Sequence, residues 1–206
     1  MDFNIQNVID NLKARQFDAC YVETKEEVVP LIESLVKEGS VVANGGSVSL
    51  KQAGVMDLLA SGKYNYLALK KDMTAEEREA AVLGRFTADA FFLSANAITE
   101  DGRIFQEDGS SNRVAPMIYG PKQVIMVVGV NKIVKNETEA KALIKKTAPA
   151  NCRNMKGPQP CVEDGKCHNC SHPLRSCCTA VTLEFARIPG RIKVILVGEY
   201  LGLKLD

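Results

Sequence analysis

The sequence lacks a long apolar segment, a basic stripe and a dinucleotide-binding glycine motif. No apolar run approaches the length of about 20 residues that a membrane-spanning helix needs, and no signal peptide opens the chain, so we expect a cytoplasmic protein without a membrane span. The 26 basic and 25 acidic residues are evenly spread and give a net charge of +1, which argues against nucleic acid as a partner. Because no G-x-G-x-x-G motif is present, we do not predict a bound NAD or FAD.

Strand-like and helix-like segments alternate along a chain that is long enough for one sizeable domain. Its 206 residues suit one domain better than two, and we predict a single domain over residues 1–206. Continuous apolar runs at 90–93, 124–128 and 194–197 are typical of strands buried on both faces of a parallel sheet. Helical segments between such strands favour an α/β fold with a doubly wound, mostly parallel sheet.

Local signals place several other elements. The T-x-x-E patterns at Thr24 and Thr74 are capping boxes, which predict helices that run from there to about residues 38 and 86. Apolar periodicity predicts the remaining elements, namely helices over 3–16 and 50–59 and strands over 19–22, 41–43, 66–69 and 181–185.

Two polar loops that follow predicted strands are candidate anion sites. In the loop at residues 44–49, glycines let the backbone approach a ligand and serine hydroxyls add donors. The loop at residues 108–113 ends in Arg113, in the first turn of a helix predicted over 114–119, where the helix dipole disfavours a cation unless it faces a carboxylate or phosphate. Plain turns and a solvated arginine are the alternatives. The candidate ligand-binding residues, with one from the next loop, are Asn44, Gly45, Gly46, Ser47, Ser49, Asn96, Gly109, Ser110, Asn112 and Arg113.

A third polar run, residues 94–102, directly follows the buried strand at 90–93. Open α/β sheets place their ligands at the carboxyl ends of such strands, and Asn96 belongs to this run. Glu100 is the candidate general acid or base, with Asp101 behind it. Asp101-Gly102 is also a favourable hairpin turn, which is the alternative explanation of these residues.

Six of the seven cysteines fall in a segment with little periodicity, and we predict that residues 149–178 form an insert that these cysteines organise. Cys167 and Cys170 form a C-x-x-C pair, and Cys161 and Cys177 would complete a shell of four sulfur ligands. Zinc and an iron–sulfur cluster both suit such ligands, and His168 or His172 could substitute for a thiolate. A redox-labile disulfide and plain packing of buried thiols are the alternatives.

The motifs together resemble the lactate-utilisation (LUD) domain family. The resemblance rests on GGSVSL (45–50), ADAFFLSANAITEDG (88–102), DGSSNRV (108–114) and YGPKQVIMVVGVNKIV (119–134), and the cysteine segment resembles the cysteine-bearing branch of that family. It implies a fold similar to that of the sugar-phosphate isomerase and CoA-transferase superfamily. It also implies a place in the bacterial oxidation of lactate to pyruvate, beside iron–sulfur and flavin-type partner proteins.

Three functions remain open at this point. The first is a component of lactate or related hydroxy-acid utilisation that binds a small carboxylate or other anion and transfers electrons through a metal held by Cys161, Cys167, Cys170 and Cys177. The second is a stand-alone isomerase or CoA-transferase-like enzyme that uses Glu100 or Asp101. The third is a sensor that responds to a ligand or to oxidation of its cysteines. Assembly into a homo-oligomer is open in all three cases.

Overall fold

The computed structural model describes residues 3–204, so the first two and last two residues of the predicted domain lie outside the described part. The strands within it are β1 (Asp18–Val22), β2 (Val41–Asn44), β3 (Asn65–Tyr66), β4 (Ala90–Leu93), β5 (Ala97–Thr99), β6 (Ile104–Asp108), β7 (Gln123–Gly129), β8 (Ile133–Val134), β9 (Thr179–Leu183) and β10 (Ile192–Val197). The α-helices are α1 (Ile5–Ala14), α2 (Val28–Leu35), α3 (Val48–Gln52), α4 (Val55–Ala60), α5 (Ala75–Gly84), α6 (Val114–Ile118), α7 (Glu137–Asn154) and α8 (Cys161–Asp164).

Six parallel strands form the main sheet, in the order β1-β10-β7-β4-β2-β3. The predicted strand at residues 90–93 coincides with β4, and those at 124–128 and 194–197 are extended at one or both ends to β7 and β10. The order of the strands requires crossovers, which the intervening helices supply. The predicted α/β fold with a mostly parallel sheet is therefore confirmed.

Both faces of the main sheet are covered, which explains why its central strands are apolar without a break. Phe91 and Leu93 of β4 point to a core that contains α1, α6 and part of a second sheet. Ala90 and Phe92 point to the opposite core, formed with α2, α3 and α4. Since successive side chains of a strand alternate between its two faces, every position of β4 has to be apolar.

A second sheet of four strands, in the order β8-β5-β6-β9, packs beside the main one. β5 and β6 are antiparallel and joined by the predicted hairpin turn at Asp101-Gly102, where Gly102 has a φ of +84°. The expectation that the strand near 181–185 returns to the main sheet is wrong, because β9 pairs antiparallel with β6 along five residues. This pairing brings Thr179, next to the cysteine segment, opposite Asp108 of the second predicted loop.

Two of the predicted helices depart from their predicted course because of the local backbone conformation. The helix predicted over 50–59 is split into α3 and α4 by Gly54, which adopts a left-handed φ of +71°. The capping box at Thr24 is present, but it opens a 3₁₀ turn over Lys25–Glu27 before α2, which ends at Leu35 and not near residue 38. In both cases the apolar periodicity of the sequence continues through a point where the backbone leaves the α-helical conformation.

The predicted start of the cysteine insert at Pro149 is also wrong, because α7 continues through this proline to Asn154. Proline removes a backbone donor and usually interrupts a helix. Here α7 is held by tertiary packing, since Ala140 and Ile144 lie against the outer face of the second sheet. Irregular structure, interrupted only by α8, begins after α7 and runs to β9. Within residues 3–204, no helix combines the length and apolar character that a membrane crossing requires.

Candidate functional site

The carboxyl ends of four neighbouring strands open into one cavity of about 770 Å³, here called the edge cavity. Its walls are residues 46–49 after β2, residues 94–96 after β4, residues 131–132 after β7 and residues 200–203 after β10, with α7 along the far side. Open α/β sheets bind ligands at this edge. The edge cavity is therefore the main candidate site.

Lys132 provides the central positive charge of the edge cavity. Its Nζ donates to the hydroxyl oxygens of Ser49 and Ser94, each at 2.9 Å, and both serines are buried. No carboxylate within residues 3–204 forms an ion pair with this ammonium group. Burial, with a smaller contribution from the positive charge of Arg113, lowers the pKa of Lys132 to about 8. Such a lysine offers either a cation or a proton acceptor close to neutral pH.

Arg113 brings a second cation to the same place. One of its Nη atoms donates to the carbonyl of Glu107, and its Nε lies 3.8 Å from a carboxylate oxygen of Asp108. The same Asp108 oxygen accepts the backbone N–H groups of Arg113 and Val114 at 3.1 Å. Arg113 is the residue that precedes α6 and does not lie in its first turn. Asp108 fixes the loop that carries this arginine.

The two predicted anion loops meet at Gly45. A Cβ atom at this position would lie 2.4 Å from Cγ and 2.8 Å from Cδ of Arg113, so only glycine leaves room for the arginine side chain. Gly46 and Arg113 both line the edge cavity. The structure thus brings together loops that are more than 60 residues apart in the chain.

We expect Gly45→Ala to displace Arg113 and to lower the free energy of unfolding by about 1–3 kcal/mol, the usual cost of overpacking. The matched control is Gly46→Ala, because a Cβ atom at Gly46 would meet nothing within 4 Å. Urea unfolding of both variants measures the difference. Equal stability of the two variants would contradict the close contact between Gly45 and Arg113.

A second cavity of about 430 Å³, here called the arginine cavity, shares Gly46, Asn96 and Arg113 with the edge cavity. The predicted residues Gly109, Ser110 and Asn112 line it, together with the buried Arg85. Its remaining wall includes two residues of the cysteine region, Cys152 and Cys177. The candidate loops and the cysteine segment are therefore adjacent in the fold.

Five cysteines border a third, small cavity of about 50 Å³, here called the thiol cavity. They are the predicted metal ligands Cys161, Cys167, Cys170 and Cys177, and also Cys152 from α7. Burial, together with the neighbouring sulfur atoms, raises the pKa of Cys161 to about 11, and burial with nearby negative groups raises that of Cys177 to about 12. As arranged here these two thiols are protonated at neutral pH.

In the described residues, no three or more His, Cys, Asp or Glu side chains converge closely enough to hold a metal ion. The two histidines make local contacts instead: His168 contacts Asp164 at 3.0 Å, and His172 Nδ1 accepts the backbone N–H of Leu174 at 3.1 Å. The cysteines thus surround a shared space without forming a compact coordination shell. Metal binding at Cys161, Cys167, Cys170 and Cys177 stays a prediction.

Glu100 and Asp101 lie in the β5–β6 hairpin, and neither lines the three cavities. Asp101 is paired with Arg15 at 3.0 Å and with Arg103 at 3.0 Å. The backbone of Glu100 is held by Val134 and by the side chain of Asn11. Their catalytic role stays a prediction, and the geometry gives them a structural role as a turn.

The other predicted ligand residues divide into two groups. Ser47 and Ser49 line the edge cavity, and Asn96, which lines both larger cavities, also accepts the backbone N–H of Glu107. Asn44 is not in a cavity wall, because its side-chain oxygen accepts the Tyr66 hydroxyl at 2.7 Å. The residues that the sequence interpretation missed are Lys132, Ser94, Lys51 and Arg85.

The position of Lys132 just after a buried parallel strand was a usable signal, since ligands bind at the carboxyl ends of such strands. Ser94 follows β4 in the same way. Arg85 had no comparable signal, because its burial results from contacts with residues distant in sequence.

The fold and the site define a doubly wound α/β protein with a cationic cleft at the carboxyl edge of its parallel sheet. A family model described as "LUD domain" matches residues 5–197. The chain therefore belongs to the LUD domain family, as the resemblance indicated, and through this family it is associated with lactate utilisation.

A similar solved structure is the crystal structure of a DUF162 family protein from Deinococcus radiodurans. It has a TM-score of 0.51 and 14% sequence identity to this chain, and the match covers 94% of this chain and 96% of that one. At this identity the likeness shows a shared fold and nothing about ligands. A comparison with curated protein sequences found no match.

Proposed function

We propose that this protein takes part in the utilisation of lactate or a related hydroxy acid by binding a small carboxylate in the edge cavity. The observation that carries the proposal is the ammonium group of Lys132, which is held at the carboxyl edge of the sheet without an acidic partner in the described residues. Arg113 adds a second cation nearby. Buried charges are normally paired, and a carboxylate ligand would supply the missing negative charge.

The two serines favour a carboxylate further. A lysine ammonium group can only donate, so the hydroxyl oxygens of Ser49 and Ser94 both accept from Lys132. The Ser94 hydroxyl donates its own proton to the carbonyl of Ala95 at 3.4 Å, whereas the Ser49 hydroxyl keeps its proton for another acceptor. A carboxylate oxygen beside Lys132 would accept from the ammonium group and from the Ser49 hydroxyl. Asn131 and Asn96, which also line the cavity, can donate to a hydroxyl or keto oxygen on the neighbouring carbon.

We also propose that Cys161, Cys167, Cys170 and Cys177 hold an iron–sulfur cluster, as an electron-transfer centre for flavin or iron–sulfur partner proteins. The donor set fits, because thiolates are the usual ligands of such clusters. A zinc ion draws four sulfur atoms to about 2.3 Å from one point, whereas these side chains surround a cavity of about 50 Å³. Zinc held by the same four sulfur atoms is the alternative. A bound cluster would supply one-electron chemistry beside the arginine cavity.

The alternative of a stand-alone isomerase or CoA-transferase-like enzyme based on Glu100 or Asp101 has weaker support. Both residues lie in a hairpin turn whose ion pairs and hydrogen bonds account for them. If this protein carries out acid–base chemistry by itself, Lys132 is the better-placed group, because its pKa of about 8 is close to the working pH.

Calorimetric titration of L-lactate, glycolate and pyruvate at pH 7 tests the carboxylate proposal, with lactamide as the neutral analogue of lactate. We expect at least one of the acids to bind and lactamide not to bind, because only an ionised carboxylate pairs with Lys132 and Arg113. Binding of lactamide with the affinity of lactate, or binding of none of the acids, would overturn the proposal.

The same titration should depend on pH. Below pH 8 Lys132 is charged, and above it the ammonium group loses its proton, while the carboxylate stays ionised throughout. Affinity should therefore fall by about tenfold between pH 7 and pH 9, as one pKa unit corresponds to a factor of ten. Lys132→Arg is the control, since arginine keeps its charge in this range. A wild-type affinity that does not change with pH would contradict the role given to Lys132.

A further inference from the structure

Arg85 is a buried cation that forms no ion pair within the part of the chain that the structure describes. It lies in the 3₁₀ turn Arg85–Thr87 after α5 and is only 4% exposed. Its Nη1 donates to the carbonyl of Asn112 at 2.9 Å, and its Nε is buried without a hydrogen-bond partner in residues 3–204. Besides Tyr66, Asp108 is the group whose charge acts on Arg85, but this carboxylate already binds the backbone of the Arg113 loop.

Such an arrangement is costly in the absence of a ligand. An ion taken out of water loses hydration free energy that an unpaired side chain does not recover, and burial accordingly lowers the pKa of Arg85. A methionine or leucine would fill the same space without this cost. Arg85 lines the arginine cavity with Arg113 and Ser110, and the carboxylate residues Glu107 and Asp108 belong to the same wall. The phosphate site therefore rests on the Nε of Arg85, which has no hydrogen-bond partner in the described residues.

The combined size of the edge cavity and the arginine cavity also favours a ligand larger than lactate. The edge cavity and the arginine cavity, of about 770 and 430 Å³, share Gly46, Asn96 and Arg113 in their walls and therefore lie side by side. Pockets of about 300–1,000 Å³ typically bury ligands of drug size. A three-carbon acid at Lys132 would leave the arginine cavity empty, with two guanidinium groups facing it.

We propose that the arginine cavity binds a phosphate group through Arg85 and Arg113, so that the ligand of the whole cleft is a phosphorylated hydroxy acid. The assignment of a carboxylate to this ligand rests on the function proposed above. The assignment of a phosphate group rests on a separate observation, the unpartnered Nε of Arg85. Guanidinium groups recognise phosphate with paired N–H donors. The Ser110 hydroxyl, at the wall of the same cavity, is a further donor.

Calorimetry at pH 7 with 3-phosphoglycerate, inorganic phosphate and L-lactate as probes tests this proposal. We expect 3-phosphoglycerate to bind wild-type protein more tightly than L-lactate does. Arg85→Met should weaken binding of 3-phosphoglycerate and inorganic phosphate by about 10- to 100-fold, the equivalent of one hydrogen-bonded charge, and leave L-lactate unchanged. Arg78→Met is the matched control, because Arg78 is an exposed arginine on α5 outside the cavities.

The outcomes separate the two proposals. Phosphate binding that depends on Arg85, without any binding of L-lactate, would retain the phosphate subsite and reject the carboxylate function. Binding of 3-phosphoglycerate to Arg85→Met with wild-type affinity would overturn the subsite. If Arg85 were only structural, Arg85→Met would lower the melting temperature and leave phosphate affinity unchanged. Should Arg85→Met not fold, Arg85→Lys retains the charge and must retain part of the phosphate affinity.

Discussion

Replacement of Lys132 by methionine is expected to weaken the binding of L-lactate or pyruvate by about 10- to 100-fold. A hydrogen bond to a charged group contributes about 1.5–3 kcal/mol, and each 1.4 kcal/mol is about a factor of ten in affinity. Methionine has a similar length and an apolar stem, so the loss is confined to the ammonium group that donates to Ser49 and Ser94. Calorimetric titration at pH 7 measures the change.

The stability of this variant distinguishes a binding role from a structural one. The pKa of Lys132 is depressed to about 8 in the folded protein, against about 10.4 in an unfolded chain. Its contribution to stability is therefore present above the unfolded value and lost as the pH falls through about 8. At pH 7 the buried charge destabilises the fold, so Lys132→Met should be as stable as wild type or more stable. A large loss of stability, with unchanged affinity, would show that Lys132 is structural.

Lys122→Met serves as the matched control. Lys122 is a largely exposed lysine beside a groove at the opposite, amino edge of the main sheet, where it pairs with Asp89 at 2.6 Å. Removing this surface ion pair costs little. It should leave carboxylate binding unchanged, because the groove is separated from the edge cavity by the length of the strands. Equal losses in the two variants would indicate a general electrostatic effect and not a site at Lys132.

The main sheet was predictable because burial on both faces leaves a direct trace in the sequence. The run at 124–128 is apolar at every position because the side chains of β7 alternate between the two cores on either face of the sheet. The second sheet left a weaker trace. β5 has three residues and β8 has two, which is too short for a periodicity of two to be recognised. The pairing of β9 with β6 depends on long-range contacts that no local pattern encodes.

In the candidate site too, the parts encoded by local motifs were predictable and the parts that depend on long-range contacts were not. Glycine-rich loops after strands were visible as motifs, and the structure places the loops of Gly46 and Arg113 at one cavity. Lys132 was overlooked because a lysine after a strand is usually a solvated surface residue, and its partners Ser49 and Ser94 lie 83 and 38 residues away. Glu100 directly follows the strand β5, but it lies in the β5–β6 hairpin and lines none of the three cavities.

In the cysteine region, some features follow from a local motif and others from contacts between residues that are distant in sequence. The C-x-x-C pair at Cys167 and Cys170 is a local motif, and the segment does adjoin the predicted loops, which spacing alone could not establish. Cys152 is not among the four predicted ligands because it lies upstream of the closely spaced cysteines, and the structure places it on α7. Since Cys152 is buried and borders both the arginine cavity and the thiol cavity, it links the two spaces.

Replacement of Cys167 and Cys170 together by serine is expected to abolish bound iron and acid-labile sulfide in protein purified without air. Serine has the shape of cysteine but is a poor ligand for iron in such clusters, and the loss of two of the four predicted thiolates leaves too few ligands. The measurement is iron and sulfide content per chain, with an optical spectrum. Wild-type protein should contain both, in amounts that fall to background in the variant.

Cys178→Ser is the matched control, because Cys178 is exposed, lies next to Cys177 and does not border the thiol cavity. It should retain the full iron content, as should Cys20→Ser on the distant strand β1. If wild-type protein contained zinc, and the zinc were lost with the same two cysteines, the bound group would be a single zinc ion and not an iron–sulfur cluster. Protein without any metal would reject the centre, and the raised pKa values of Cys161 and Cys177 would then mark them as protonated thiols that react slowly. If the single substitution Cys152→Ser also removed the iron, Cys152 would be a ligand of the cluster, and the predicted set of four cysteines would be wrong in one member.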